Sequence, residues 1–178
     1  RRELDLVGGD LFNSQKIAAS KQNLRKLDYF KSVDLETLPS REKDQMDLKV
    51  KVREKRTGSF SIGAGYSTVR QLFFTGKIEE RNFLGRGYNL SLKGSFSSKQ
   101  TLYQAEFWNP HLYDGPLGLG FEAYNSDKEY SDYDLKKTGG KSKFAYSIGD
   151  HTRLYWNYSL EEYRVDNIDS SASEQIKI

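Results

Sequence analysis

No cysteine occurs in the 178 residues. That excludes a disulfide framework, a cysteine-ligated zinc or iron–sulfur site and a thiol nucleophile. It leaves the compartment open, because an oxidising space does not oblige a protein to carry disulfides. Histidine occurs twice, at His111 and His151, which is too few for a His-rich metal centre and poor support for a Ser-His-Asp triad. An excess of one charge is also missing: 28 Lys and Arg face 25 Asp and Glu, a net of +3. So even a mixture makes no electrostatic case for nucleic acid or an anionic surface. Mean hydropathy is -0.78, and no stretch approaches the roughly 20 apolar residues of a spanning helix. That exclusion does not reach a membrane β-barrel, whose strands look polar on average. Proline is scarce, at 3, whereas Tyr (12), Phe (10) and Gly (15) are plentiful; aromatic residues favour strands, and glycines there let backbones pack closely. The chain opens on Arg1-Arg2-Glu3-Leu4 without an initiating Met or a secretory leader pattern, which reads as a mature product or an excised fragment.

The texture changes near residue 58. Before it, helical and strand periods mix. Residues 1–7 read as the end of a helix stopped by Gly8-Gly9. Asn13 or Ser14 is a candidate N-cap for a helix over 14–27, with Ile17, Leu24 and Leu27 at helical spacing. Residues 30–38 read as a strand and 39–44 as a turn. Met46, Leu48, Val50 and Val52 then alternate with Asp47, Lys49, Lys51 and Arg53, the pattern of a half-buried strand. Two strands alone are marginal, and a partner strand before Arg1 would complete them.

After residue 58 comes a succession of about seven alternating segments. Their apolar positions are Phe60, Ile62, Ala64 and Tyr66; residues within 72–83; Tyr88, Leu90, Leu92 and Phe96; Tyr103, Ala105 and Phe107; Leu117, Leu119, Phe121 and Ala123; Phe144, Tyr146 and Ile148; and Leu154, Trp156, Tyr158 and Leu160. Ser, Lys, Glu and Gly fill most positions between. Gly85-Arg86-Gly87, residues 111–116 and Gly149-Asp150-His151 read as short turns, and 126–138 as a long charged loop. One short end and one longer end is the organisation of outer-membrane barrels. A soluble β-sandwich alternates in the same way, so periodicity alone leaves both readings open. The Gly and Ser content of the polar faces favours the barrel, as does a strand series that ends open.

Little in the chain suggests catalysis. Glu79 and Glu80, like Glu161 and Glu162, are strand neighbours that point to opposite faces, so neither pair makes an acid–base dyad. Lys93 and Glu106 fall on polar faces, where such charges pair across strands. His111 and His151 lack metal-ligand spacing and read as turn residues. Trp108, Trp156 and several tyrosines are candidates for interfacial girdles. Asn82, Phe83, Leu84, Gly85, Arg86 and Gly87 form a turn by composition; no helix follows, so it is not a phosphate cradle.

Several stretches then read together: the segments at 1–4, 9–13 and 27–30, VREKRTGSF at 52–60, GAGYST at 63–68 and NFLGRG at 82–87. With these the chain resembles the BamA family of outer-membrane β-barrel assembly factors, within the wider barrel-assembly superfamily. The resemblance covers essentially the whole chain. It implies a mainly β fold with a small α/β N-terminal part. Residues 1–56 would be a partial last POTRA domain lacking its first strand, and 57–178 the opening antiparallel strands of a truncated barrel. A late family motif of the form Val-Arg-Gly-Phe has no match, so the chain reads as an internal fragment. It implies an outer-membrane location in a Gram-negative cell, with the N-terminal part in the periplasm. It also implies insertion of client barrels without ATP or a cofactor, and no enzyme activity. The strand of Ser59, Phe60, Ser61, Ile62, Gly63, Ala64, Gly65, Tyr66, Ser67 and Thr68 would border a lateral gate and pair with client strands by β-augmentation. Gly58 would be a hinge, and Asn82 to Gly87 a periplasmic turn. The implied partners are client β-barrel proteins, accessory lipoproteins at the POTRA part and the lipid bilayer, with self-association through open strand edges. A two-partner-secretion translocation pore of the same superfamily and a soluble β-rich binding module are the alternatives.

Overall fold

The structure, a computed structural model, describes residues 2–42, 44–149 and 152–169. The chain divides into two units, Arg1–Thr57 and Gly58–Ile178.

The first unit holds α1 (Ser14–Lys26), β1 (Phe30–Pro39) and β2 (Met46–Glu54). Asn13 is the N-cap: its side chain accepts hydrogen bonds from the Gln15 and Lys16 amides at 2.9 and 3.2 Å, which satisfies two otherwise orphaned donors. Arg25 and Lys26 occupy the last turn, where cations suit the helix dipole. α1 packs on β1 and buries Leu24, Ser20 and Val33. β1 and β2 pair antiparallel, with Val33 opposite Val52 and Leu35 opposite Val50. The helix expected at 1–7 is absent among the described residues. Val7 N–H donates to the Asp10 carboxylate at 3.1 Å and Asp10 N–H to the Val7 carbonyl. A local side-chain bond of this kind competes with helix formation, and Asp5 N–H is taken by the Ser20 hydroxyl at 2.8 Å.

The second unit is one antiparallel meander of seven strands: β3 (Gly58–Ser67), β4 (Gln71–Phe83), β5 (Tyr88–Ser97), β6 (Gln100–Asn109), β7 (Leu117–Glu129), β8 (Asp134–Ile148) and β9 (Thr152–Asp166). Each strand pairs with the next, and β3 and β9 are the two edges. The register carries one apolar row across all seven strands: Phe60, Ile78, Leu92, Ala105, Ala123, Gly140 and Leu160. The adjacent row on the other face reads Ser61, Lys77, Lys93, Gln104, Tyr124, Gly139 and Glu161. The faces are thus segregated over the whole width of the sheet.

Among the described residues of this unit, no second layer covers the apolar face. Among the described residues of this unit, Ala145 is the one buried hydrophobic side chain, while Phe60, Ile62, Phe74, Phe121, Trp156 and Leu160 are all exposed. A soluble sandwich would bury that face against a second sheet. A wall of this extent needs an apolar medium instead.

The long charged loop expected at 126–138 is mostly strand. The β7–β8 ladder continues through Ser126–Lys137, Asp127–Lys136, Lys128–Leu135 and Glu129–Asp134. The turn is confined to 130–133, where the Tyr130 and Tyr133 rings stack 4.8 Å apart. Both faces are polar there, so hydrophobic alternation carries no signal. Asp150 and His151 of the last turn lie outside the described residues, as do Arg1 and Lys43.

Candidate functional site: an unpaired strand edge

β3 pairs with β4 alone, from Gly58 opposite Glu80 to Ser67 opposite Gln71, without a bulge. Among the described residues, its other edge leaves a row of backbone N–H and C=O groups without a strand partner. Exposed edges are usually blunted by Lys, Pro or a bulge. β3 has none of these, and none of its ten residues carries a charge. Ser59, Ser61, Gly63, Gly65 and Ser67 lie on the polar face, and Phe60, Ile62, Ala64 and Tyr66 on the apolar one. Thr68 follows in the turn to β4. All ten residues of the expected pairing segment therefore fall on or immediately after the edge strand.

The polar face repeats one packing device. A side chain at Gly65 would meet the Phe73 ring, whose Cζ lies 2.6 Å from the position of an added Cβ. The Arg70 guanidinium sits 4.2 Å from the centre of the same ring, a cation–π contact. Trp108 covers Gly118 and Gly120 at 2.6 and 2.5 Å, and Tyr124 covers Gly139 at 2.7 Å. Trp108 therefore lies on the polar face and takes no part in an outer girdle. Trp156 does face outward, stacked on Phe144 at 5.5 Å. The position of Trp108 was readable, since it falls on the polar phase of its own alternation.

β3 itself adds no charge to this face; the ion pairs lie on β4 and on the strands from β6 to β9. Lys143 on β8 reaches Glu106 on β6 at 2.8 Å and Glu122 on β7 at 2.5 Å. Lys141 also approaches Glu122, at 3.9 Å, and Lys137 pairs with Glu161 at 3.0 Å. The Tyr124 hydroxyl donates to Glu161. Glu122 is only 9% exposed, so its bridging cation matters. Glu106 was expected to find a cross-strand partner and does so in Lys143; Lys93 lies opposite Gln104. Glu79 pairs with Lys77 on its own strand, and Glu162 with Arg164 at 3.7 Å.

The segment 82–87 closes tightly around Asn82. Gly85 N–H donates to the Asn82 carbonyl at 2.9 Å and Gly87 N–H to its side chain at 2.8 Å. Leu84, Gly85 and Gly87 all have positive φ, which explains two of the glycines. In the next turn on that side, His111 Nδ1 lies 3.2 Å from the Gly115 carbonyl, an ordinary turn contact.

The family profile described as the Omp85 superfamily domain matches residues 82–177, more than half of the chain. The chain belongs to the Omp85 superfamily. A POTRA profile, described as a surface antigen variable number repeat, matches residues 1–55. This places the strands of an Omp85 protein in the outer membrane and its N-terminal unit in the periplasm. Among curated relatives, the outer membrane protein assembly factor BamA of Nitratidesulfovibrio vulgaris is 39% identical over 99% of this chain and 22% of its own length. BamA of Neisseria meningitidis is 21% identical over 96% of the chain and 22% of its length. The Omp85 chain thus spans about a fifth of these relatives. In structure it matches BamA from Haemophilus ducreyi lacking POTRA domains 1–3, with TM-score 0.79, 23% identity, and coverage of 92% of this chain and 32% of that one. CdiB from Escherichia coli matches at TM-score 0.56 and 16% identity, over 94% and 35% of the two chains.

Proposed function

We propose that this chain is a segment of a longer outer-membrane assembly factor, the parent protein. Residues 1–56 belong to its last POTRA domain and 57–178 to its opening barrel strands. The parent folds and inserts β-barrel proteins, and β3 is the lateral-gate strand onto which a client's terminal strand pairs. The observation that carries this reading is the unblunted edge of β3. A ten-residue strand without charge, proline or bulge leaves its backbone groups open to another chain. Pairing through backbone groups makes loose sequence demands, which suits a factor that handles many clients.

The outer wall at this edge supports the same reading. Phe60 to Tyr66 spans six steps, about 20 Å along the strand at ~3.3 Å per residue. With a tilt of roughly 40° that is about 15 Å along the membrane normal, against an apolar band of roughly 25 Å in such barrels. A thin wall lowers the cost of opening the bilayer beside it. Gly58 begins the strand and serves as the hinge between the periplasmic part and the barrel. Asn82 to Gly87 is a periplasmic turn that fixes register. Clients and accessory lipoproteins engage the POTRA part, and no nucleotide or cofactor takes part.

The lack of cysteine makes a direct test possible. One cysteine is placed at Ser61 or Ser67 of the parent and another along a client's terminal strand, and disulfide adducts are sought during assembly. Adducts whose register shifts with the cysteine position support strand pairing at β3. With normal expression and a natively closing gate, no adduct at any position removes that reading and favours a translocation pore of the CdiB kind.

A further inference from the structure

Five strand glycines lie on the polar face of the sheet: Gly63, Gly65, Gly118, Gly120 and Gly139. Four of them are roofed by an aromatic ring from the neighbouring strand. In three of the four, the ring belongs to the residue directly opposite: Phe73 opposite Gly65, Trp108 opposite Gly120 and Tyr124 opposite Gly139. The fifth glycine is different. Nothing lies within 4 Å of an added Cβ at Gly63. Its partner on β4 is Thr75, whose hydroxyl turns away to the Ser95 hydroxyl at 3.0 Å. The one side from which a cross-strand ring could still come is the free edge of β3.

We infer that Gly63 is a seat for an aromatic side chain carried by the strand that pairs with β3. This rests on the strand-pairing reading above and gives it a specificity. The guest is an extended, antiparallel segment with a Phe, Tyr or Trp on its polar-face phase, directly opposite Gly63. Its ring lies across the Gly63 backbone, as Phe73, Trp108 and Tyr124 lie across theirs. A polar-face aromatic costs little there, because the glycine row gives the ring a flat apolar bed. The same contact sets register, since a slip of one residue would turn the ring to the opposite face. Neighbouring Ser61 supplies no such bed, and Gly65 is already covered.

The test uses the parent protein with a cysteine at Ser67 and two versions of one client. The versions differ only in Phe or Ala at the polar-face position that pairs with Gly63. The Phe client should give about fivefold more adduct than the Ala client, the size of one aromatic contact. Moving the Phe by two positions should move the preferred cysteine pairing by two. Gly63→Val should remove the difference between the two clients. Equal yields for both clients with the unaltered parent, adducts being formed, overturn the seat and leave strand pairing standing. No adduct with either client removes strand pairing and the seat together. The client comparison in the unaltered parent decides the matter even where Gly63→Val misfolds.

Discussion

Ten residue pairs join β3 to β4, and ten join β6 to β7. The backbone ladders are the same length, but the side chains laid over them differ. Across β6, β7 and β8, Lys143 ties Glu106 to Glu122, and Trp108 roofs two glycines. Across β3 and β4, the polar face of β3 offers only serines and glycines, and Phe73 over Gly65 is the ring that roofs it. β3 carries no charged residue, so it cannot be tied by an ion pair at all. Regions held by few side-chain contacts open at a lower free-energy cost than the rest of a structure. One sheet therefore joins a firmly stitched flank to one held mainly by its backbone. On the reading proposed above, that arrangement suits an edge that exchanges partners.

Four substitutions in the parent protein would break or sharpen this contrast. Gly120→Val should have the largest effect, because its Cβ would fall 2.5 Å from the Trp108 ring and 2.8 Å from the Phe107 carbonyl. A loss of about 3 kcal/mol is expected, read as a lowered urea midpoint in the heat-modifiable mobility assay. Lys143→Met should cost about 2 kcal/mol by leaving Glu106 without its cation and Glu122 with only the more distant Lys141. Amide exchange should then rise in β7 and β8 and stay unchanged in β3. Phe73→Ala should cost about 1 kcal/mol and raise exchange in β3 and β4 alone. Gly63→Ala meets open space and should change stability by less than about 0.5 kcal/mol. Were Gly63→Ala as damaging as Gly120→Val, the two flanks would not differ in the way described.

The middles of the strands were legible because one face turns apolar with period two. Phe60 to Tyr66 and Leu154 to Leu160 announce themselves in that way. Their outer ends were not, since both faces become polar beyond Asn125 and Leu160, and 126–138 then reads as loop. The helix expected at 1–7 failed on two competing side chains, Asp10 at the Val7 amide and Ser20 at the Asp5 amide, whose bonds no periodicity reports. All ten residues of the expected pairing segment fall on one strand or its turn, because that segment is a continuous run of sequence. The ring-over-glycine couples were invisible for the opposite reason. Phe73 with Gly65 and Tyr124 with Gly139 become neighbours only once the register is known. Lys143, the cation that bridges three strands, was missed likewise: it lies at the start of a modest alternation, far in sequence from Glu106.

The continuation of β7, β8 and β9 past the apolar wall has an immunological consequence. From Asn125, Thr138 and Glu162 onward the outward positions are polar, with Lys136 salt-bridged to Asp166 at 2.8 Å. On the reading proposed above, the hairpin at 130–133 stands on the cell exterior. It is a hydrogen-bonded palisade and not a slack loop, capped by two stacked tyrosines. An antibody that recognises it would read side chains from three strands at once. Such an epitope is conformational: serum raised against the folded protein should label intact cells and lose the same site on a denatured blot.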